Sequence, residues 1–288
     1  MINFMKGQPS SDLLPTELFA KATSLALADP NAKTDMLQYG NELGTSAFRE
    51  NLASFLSKEY ALPVDPRHLC PTAGASHGLE HALSLLTRPN STTKYCYFQE
   101  PTYFLAFDVF RDVGFQLDQF VGIPDKNNNE GLDLDYFEET LAKHFPIPPP
   151  PPFTAPIEEM TTTEEWIYDA VLYCVPTHAN PTGSILPMNQ RQRLVKLARK
   201  YNVLVICDDV YDILTYSDQQ QSDDDKNNKN NDVVIIPPPK RVVAYDLELD
   251  SAHPVIISNG SFSKLLAPGA RIGWLECHES LVQRLGAW

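Results

Sequence analysis

Ser258-Asn259-Gly260-Ser261-Phe262-Ser263-Lys264-Leu265-Leu266-Ala267-Pro268-Gly269-Ala270-Arg271-Ile272-Gly273 follows the apolar β-branched run Val255-Ile256-Ile257, which reads as a buried strand. Past that strand a lysine sits among hydroxyls, Gly and Pro bend the backbone, and an arginine follows. Lysine becomes a useful nucleophile when its surroundings lower its pKa or when it is already condensed with a carbonyl. Hydroxyls and an arginine are what a phosphate monoester needs nearby. A carbonyl-condensed lysine beside a phosphate cluster suggests pyridoxal phosphate. Taken alone, the segment fits a surface lysine and arginine flanking a Ser/Gly turn equally well.

Working outward, strand and helix patterns alternate. Helical spacing marks Thr45 to Tyr60 and Ala75 to Leu86. Helices are also expected over Thr102 to Val113, Leu132 to Phe145 and Met188 to Tyr201. Strands are expected at Lys94 to Phe98, Phe115 to Val121, Val171 to Val175, Val203 to Cys207, Val255 to Ile257 and Ile272 to Leu275, with Val242 to Ala244 a weaker candidate. Runs that are apolar on both faces, alternating with helices, imply an α/β fold with a mostly parallel sheet covered by helices. In such sheets ligands sit at the carboxyl ends of the strands.

The polar clusters fall at those ends. Pro176-Thr177-His178-Ala179-Asn180-Pro181-Thr182-Gly183 follows one strand, Asp208-Asp209-Val210-Tyr211 another, and the Lys264 segment a third. Thr72-Ala73-Gly74-Ala75-Ser76 opens a helix whose free N–H groups suit an anion. Singly these are a turn, a helix cap and a strand-to-helix break. Sharing one sheet edge, they make a site.

The bulk properties narrow the class. A chain of 288 residues can bury a sizeable core, and a net charge of −14 disfavours nucleic acid and anionic membranes as partners. No apolar run approaches the roughly 20 residues of a membrane span. The five cysteines are dispersed with no C-x-x-C pair, and with no leader pattern at Met1 to Pro9 this predicts reduced thiols and a cytoplasmic protein. No metal site is indicated. Residues 217–232, acidic and Asn-rich, predict a disordered insertion, and the proline run near 146–152 a polyproline II spacer.

On these residues the chain resembles the fold-type I pyridoxal phosphate enzymes, specifically the class I/II aminotransferases. The matching pieces are Tyr39-Gly40 with Gly44 and Phe48-Arg49, then Gly74-Ala75-Ser76, Glu100-Pro101-Thr102-Tyr103 and Asn180-Pro181-Thr182-Gly183. Asp208-Asp209-Val210-Tyr211, Ser261-Phe262-Ser263-Lys264 and Pro268-Gly269-Ala270-Arg271 complete the set. The branch of kynurenine and 2-aminoadipate aminotransferases with their fungal relatives is most similar.

The resemblance implies a three-layer αβα sandwich, with an N-terminal arm at 1–28 and a cofactor-binding large domain at 29–276. Residues 277–288 would begin the connection to a small C-terminal domain, which is expected to be missing. It implies amino transfer from an amino acid to a 2-oxo acid, with Lys264 holding pyridoxal 5'-phosphate as an internal aldimine and then moving the Cα proton. Asp208 would pair with the ring nitrogen, Tyr211 and Asn180 with the phenolic oxygen, and Tyr103 would stack on the ring. Gly74, Ala75, Ser76, Ser261 and Arg271 would cradle the phosphate. Tyr39 would reach the neighbouring subunit's phosphate in a homodimer.

Asp209 and Gln99-Glu100 depart from the family's usual residues and read as tolerated variation. His178 reads as a packed or hydrogen-bonded histidine rather than a base. Without the small domain's arginine for the substrate carboxylate, only Arg49 and Arg284 stand nearby in sequence, and weak activity is expected. The cofactor residues also suit a lyase of the aminocyclopropane-carboxylate-synthase type, or a non-catalytic cofactor-binding remnant.

Overall fold

The computed structural model describes residues 8–126, 130–149, 167–215, 237–249 and 253–286. The expected insertion at 217–232, and the proline run beyond residue 149, lie outside the described residues. Seven strands form one sheet: β1 (Leu69–Thr72), β2 (Tyr95–Glu100), β3 (Phe120–Pro124), β4 (Ala170–Cys174), β5 (Val203–Asp208), β6 (Ile256–Ser261) and β7 (Gly273–Glu276). Their order is β1-β7-β6-β5-β4-β2-β3. The five strands from β6 to β3 run parallel, and β7 is antiparallel to both of its neighbours. Strands β4, β5 and β6 are buried at every position, as befits strands covered on both faces.

The helices are α1 (Thr16–Leu27), α2 (Ala32–Asp35), α3 (Ser46–Tyr60), α4 (Ala75–Leu86), α5 (Leu105–Val113), α6 (Leu134–His144), α7 (Met188–Lys200), α8 (Val242–Glu248) and α9 (Glu279–Gly286). Successive residues of β6 point to opposite faces, which defines the layers. Asn259 donates to Ala75 O in α4 at 2.9 Å, whereas Ser258 accepts from Arg241, just before α8, at 3.4 Å. The result is the expected three-layer αβα sandwich. The Thr45 hydroxyl caps α3 by accepting from Phe48 N, and the Asp133 carboxylate caps α6 through Asp135 N and Tyr136 N. None of α1 is buried.

Four expectations need correction. Val242 to Ala244 is not a strand but the start of α8. Its residues Val242, Val243, Tyr245 and Asp246 are buried, and tertiary packing overrides their β propensity. The Asp246 carboxylate accepts from Val255 N at 3.0 Å and Ile256 N at 3.1 Å, which ties the helix to the entry of β6. The strand expected from Phe115 begins only at Phe120, after a 3₁₀ turn over Leu117–Gln119. There Gln119 reaches back to Gln116 N and across to Pro89 O. Helix α5 starts at Leu105 rather than Thr102, leaving Tyr103 outside it. Strand β1 was not among the expected strands; it contains Pro71, and an edge position, paired with β7 alone, tolerates the missing N–H.

Candidate active site

A cavity of about 380 Å³ lies where β4, β5 and β6 end. Asp208, Ser261 and Lys264 line it from β5, β6 and the segment after β6, with Arg271 reaching in just before β7. Ala75 and Ser76 line it from the first turn of α4, and Tyr103, Asn180 and Tyr211 complete the wall.

Asp208 is the buried carboxylate of this set, 8% exposed. The Tyr173 hydroxyl donates to its Oδ2, and its Oδ1 is buried with no hydrogen-bond partner among the described residues. Burial pushes the Asp208 carboxyl up to about 6; the Tyr173 bond pulls it back, neighbouring Asp209 adds to the rise, and Lys264 opposes it. Lys264 Nζ stands 5.8 Å from the centre of the Tyr211 ring. Burial raises the Tyr211 phenol, while a hydrogen bond with Asn180 draws it down. Burial also raises Tyr103, whose phenol lies near Asp208 and Tyr211.

The opposite end of the cavity is built for an anion. Gly74 precedes α4 with φ +93°, and a Cβ there would come within 2.5 Å of the Arg271 guanidinium. Glycine alone therefore lets Arg271 lie across the start of the helix, where it donates to Ala73 O at 3.1 Å. The first-turn N–H groups of α4 are free for a ligand. The Ser261 hydroxyl donates to Ser263 Oγ at 2.9 Å and accepts from Ser263 N at 3.1 Å, closing the turn that leads to Lys264.

Tyr39 is not brought here; it lies outside the cavity with its side chain 99% exposed. Arg49 and Arg284 do not line the cavity either. Arg49 bonds Pro66 O at 3.3 Å, and burial lowers Arg284. His178 pairs with the Thr215 hydroxyl at 3.1 Å and is not part of the wall.

Sequence reasoning missed the supports. Tyr173 is 1% exposed within β4, and a tyrosine inside an aliphatic strand was itself a signal, since a buried phenol needs a partner. Arg191, fully buried, fastens the Asn180 loop from one side by donating to Pro176 O and Leu186 O, each at 2.9 Å. Asp125 holds the other side, accepting from Thr182 at 3.0 Å, Ser184 at 2.8 Å and Gln99 at 2.6 Å. Gln99 supplies an amide donor to that carboxylate, a role a glutamate could fill only when protonated.

Behind the sheet, Asp209, Asp212, Arg241 and Glu276 form a buried charged cluster with Tyr60 and Ser258. Burial and the Asp209 charge push Asp212 up to about 8, with Arg241 opposing. Among the described residues no group of three or more His, Cys, Asp or Glu could hold a metal ion, and no helix is long and apolar enough to cross a membrane.

Residues 1–288 match the family Aminotransferase class I and II. The chain belongs to this family. An uncharacterized protein of Saccharomyces cerevisiae is 34% identical over 97% of this chain and 63% of its own length. Aromatic-amino-acid aminotransferase 1 of Thermococcus litoralis is 26% identical over 99% of this chain and 56% of its own. The structure of Pyrococcus horikoshii kynurenine aminotransferase in complex with PMP superposes with a TM-score of 0.67 at 25% identity, covering 98% of this chain and 57% of that one. The chain thus spans between 56% and 63% of the length of these relatives.

Class I and II aminotransferases are enzymes, and their cofactor is pyridoxal phosphate. The cavity fits that group in its chemistry. A bare carboxylate oxygen suits a cationic ring nitrogen, a helix start with an arginine suits the phosphate, and an amine suits the aldehyde.

Proposed function

We propose that this chain is the cofactor-binding part of an aminotransferase that moves an amino group from an amino acid to a 2-oxo acid, with Lys264 as the catalytic amine. The convergence of Lys264, the bare Asp208 Oδ1 and the start of α4 on one cavity carries this reading. Pyridoxal phosphate, when bound, supplies an aldehyde that condenses with amines and a ring that accepts the electrons released at Cα. The chain's own groups do the rest. Asp208 Oδ1 would accept from the ring N–H and favour a cationic ring, while Tyr211 and Asn180 would orient the phenolic oxygen. The N–H groups of Ala75 and Ser76, together with Ser261 and Arg271, would hold the phosphate, and Tyr103 would cover a ring face. Lys264 Nζ would be the amine held against the aldehyde and, once free, the base placed to take the proton from substrate Cα.

Arg271 is the one guanidinium in the cavity wall, and the phosphate claims it. A homodimer would account for the exposed apolar residues of the arm and the chain after it: Leu13, Leu18 and Leu25, then Leu37 and Tyr39, are all exposed, a set that a second copy would cover, with Tyr39 reaching its neighbour's phosphate. The five cysteines are free and buried, which suits a reducing cytoplasm.

The test is borohydride reduction of the protein mixed with pyridoxal phosphate, followed by peptide mass spectrometry. The adduct is expected on Lys264 and absent from Lys264→Ala. An adduct spread over surface lysines, or none, would reject the reading. Amino acid and 2-oxoglutarate, added in a separate run, report the exchange itself.

A further inference from the structure

The cavity leaves one question open: what decides which face of the Asp208 carboxylate meets the ligand. Asp208 ends β5, and β4 lies beside it in parallel register, with Tyr173 opposite Ile206 and Cys174 opposite Cys207. Tyr173 is buried, and among the described residues its hydroxyl bonds Asp208 Oδ2. The other oxygen, Oδ1, has none, although the residue is more than nine-tenths buried and lines the cavity. A buried acceptor left bare is costly unless a ligand completes it. The charged and titratable groups near Asp208 are Asp209, which follows β5 and turns to the other face of the sheet, Lys264 from the segment after β6, and the phenols of Tyr103, Tyr173 and Tyr211. Of these phenols, Tyr173 is the one that hydrogen-bonds the carboxylate, which also draws on the Val210 backbone N–H.

We propose that Tyr173 is a positioning residue for the cofactor ring: by donating to Oδ2 it locks the Asp208 carboxylate so that Oδ1, an acceptor with no proton of its own, faces the cavity and selects a ligand with a ring N–H. This rests on the pyridoxal phosphate reading and deepens it. A protonated Asp208 would meet the ring nitrogen as a donor and lose that selection; the Tyr173 bond opposes this by favouring the ionised form. Tyr173 acts through Asp208 and touches the ring only through it.

The experiment compares two probes on the full chain: pyridoxal phosphate and its 1-deaza analogue, in which carbon replaces the ring nitrogen. Affinities are measured by fluorescence quenching for wild type, Tyr173→Phe, Asp208→Asn and the double variant. Wild type should prefer pyridoxal phosphate, and Tyr173→Phe should weaken that ligand about tenfold, the scale of one hydrogen bond to a charged group, while leaving the deaza analogue unchanged. In the Asp208→Asn background the tyrosine change should have no further effect. Tyr173→His, which keeps a ring and a donor, should restore part of the preference and covers the case in which Tyr173→Phe fails to fold. Equal loss for both probes would mean a merely structural tyrosine and overturn the proposal, as would no loss for either. A wild type that binds both probes equally would instead reject the pairing of Asp208 with the ring nitrogen. If it binds neither, the cofactor reading fails.

Discussion

Gly74→Ala separates what the backbone does at the anion end of the cavity from what Arg271 does. The new Cβ would sit 2.5 Å from Arg271 Nη2 and 2.9 Å from Cζ, well inside ordinary contact. The obstacle is the far end of a flexible, exposed side chain, so it swings away and the overlap itself costs little stability. The backbone has no such escape. With φ +93° and ψ 169°, Gly74 occupies a region closed to residues with a Cβ, and strain of that kind costs about 1–3 kcal/mol. Two separable effects follow. Urea denaturation should show a loss of about 1–3 kcal/mol, and inorganic phosphate or pyridoxal phosphate should bind more weakly because Arg271 has been displaced. In an Arg271→Ala background the stability loss should persist while the further loss of affinity disappears. If Gly74→Ala leaves both the urea midpoint and phosphate affinity unchanged, the account of this corner is wrong. If the affinity loss survives in the Arg271→Ala background, Arg271 is not what the glycine protects.

Asp212 offers a pH test. Its folded-state pKa of about 8 lies above the ordinary carboxyl value of 3.8, so its contribution to stability is full below pH 4 and is lost as pH rises toward 8. Asp212→Asn removes that penalty. The variant should match wild type near pH 4 and exceed it by up to about 4 kcal/mol at pH 7, at about 1.4 kcal/mol per unit; parallel stability curves would refute this. Asp246→Ala strips a buried carboxylate from Arg199, Val255 N and Ile256 N, and chemical denaturation should show a loss of about 3–5 kcal/mol. A loss below about 1 kcal/mol would mean that the α8 tether is dispensable.

How far the sequence could be read depended on whether a signal was local. The parallel core was legible because Val203-Leu204-Val205-Ile206 and Val255-Ile256-Ile257 can be buried on both faces only inside such a sheet. The polar clusters marked the strand ends for the same reason. What escaped was set by contacts distant in sequence. Val242 and Val243 look like a strand until Asp246 is seen gripping the entry of β6. Tyr173 gains meaning from the register of β4 on β5, which places its hydroxyl at Asp208. Gln99 passed for neutral variation because its partner, Asp125, belongs to the chain just past another strand. Strand β1 contains Pro71, and only the finished sheet order shows that this strand lies at an edge.

The reversal of β7 also governs how the site can vary. Ser261 pairs with Gly273 across the antiparallel ladder, so both feet of the intervening segment are pinned to the sheet. Lys264 and Arg271 hang from that single closed span, and their separation is metered by chain length alone. A one-residue insertion or deletion within 262–272 would shift the amine against the guanidinium while leaving Asp208 and Asn180 where they are. The distance from anchoring amine to phosphate grip is thus a property of one hairpin, adjustable independently of the ring contacts carried by the other strands.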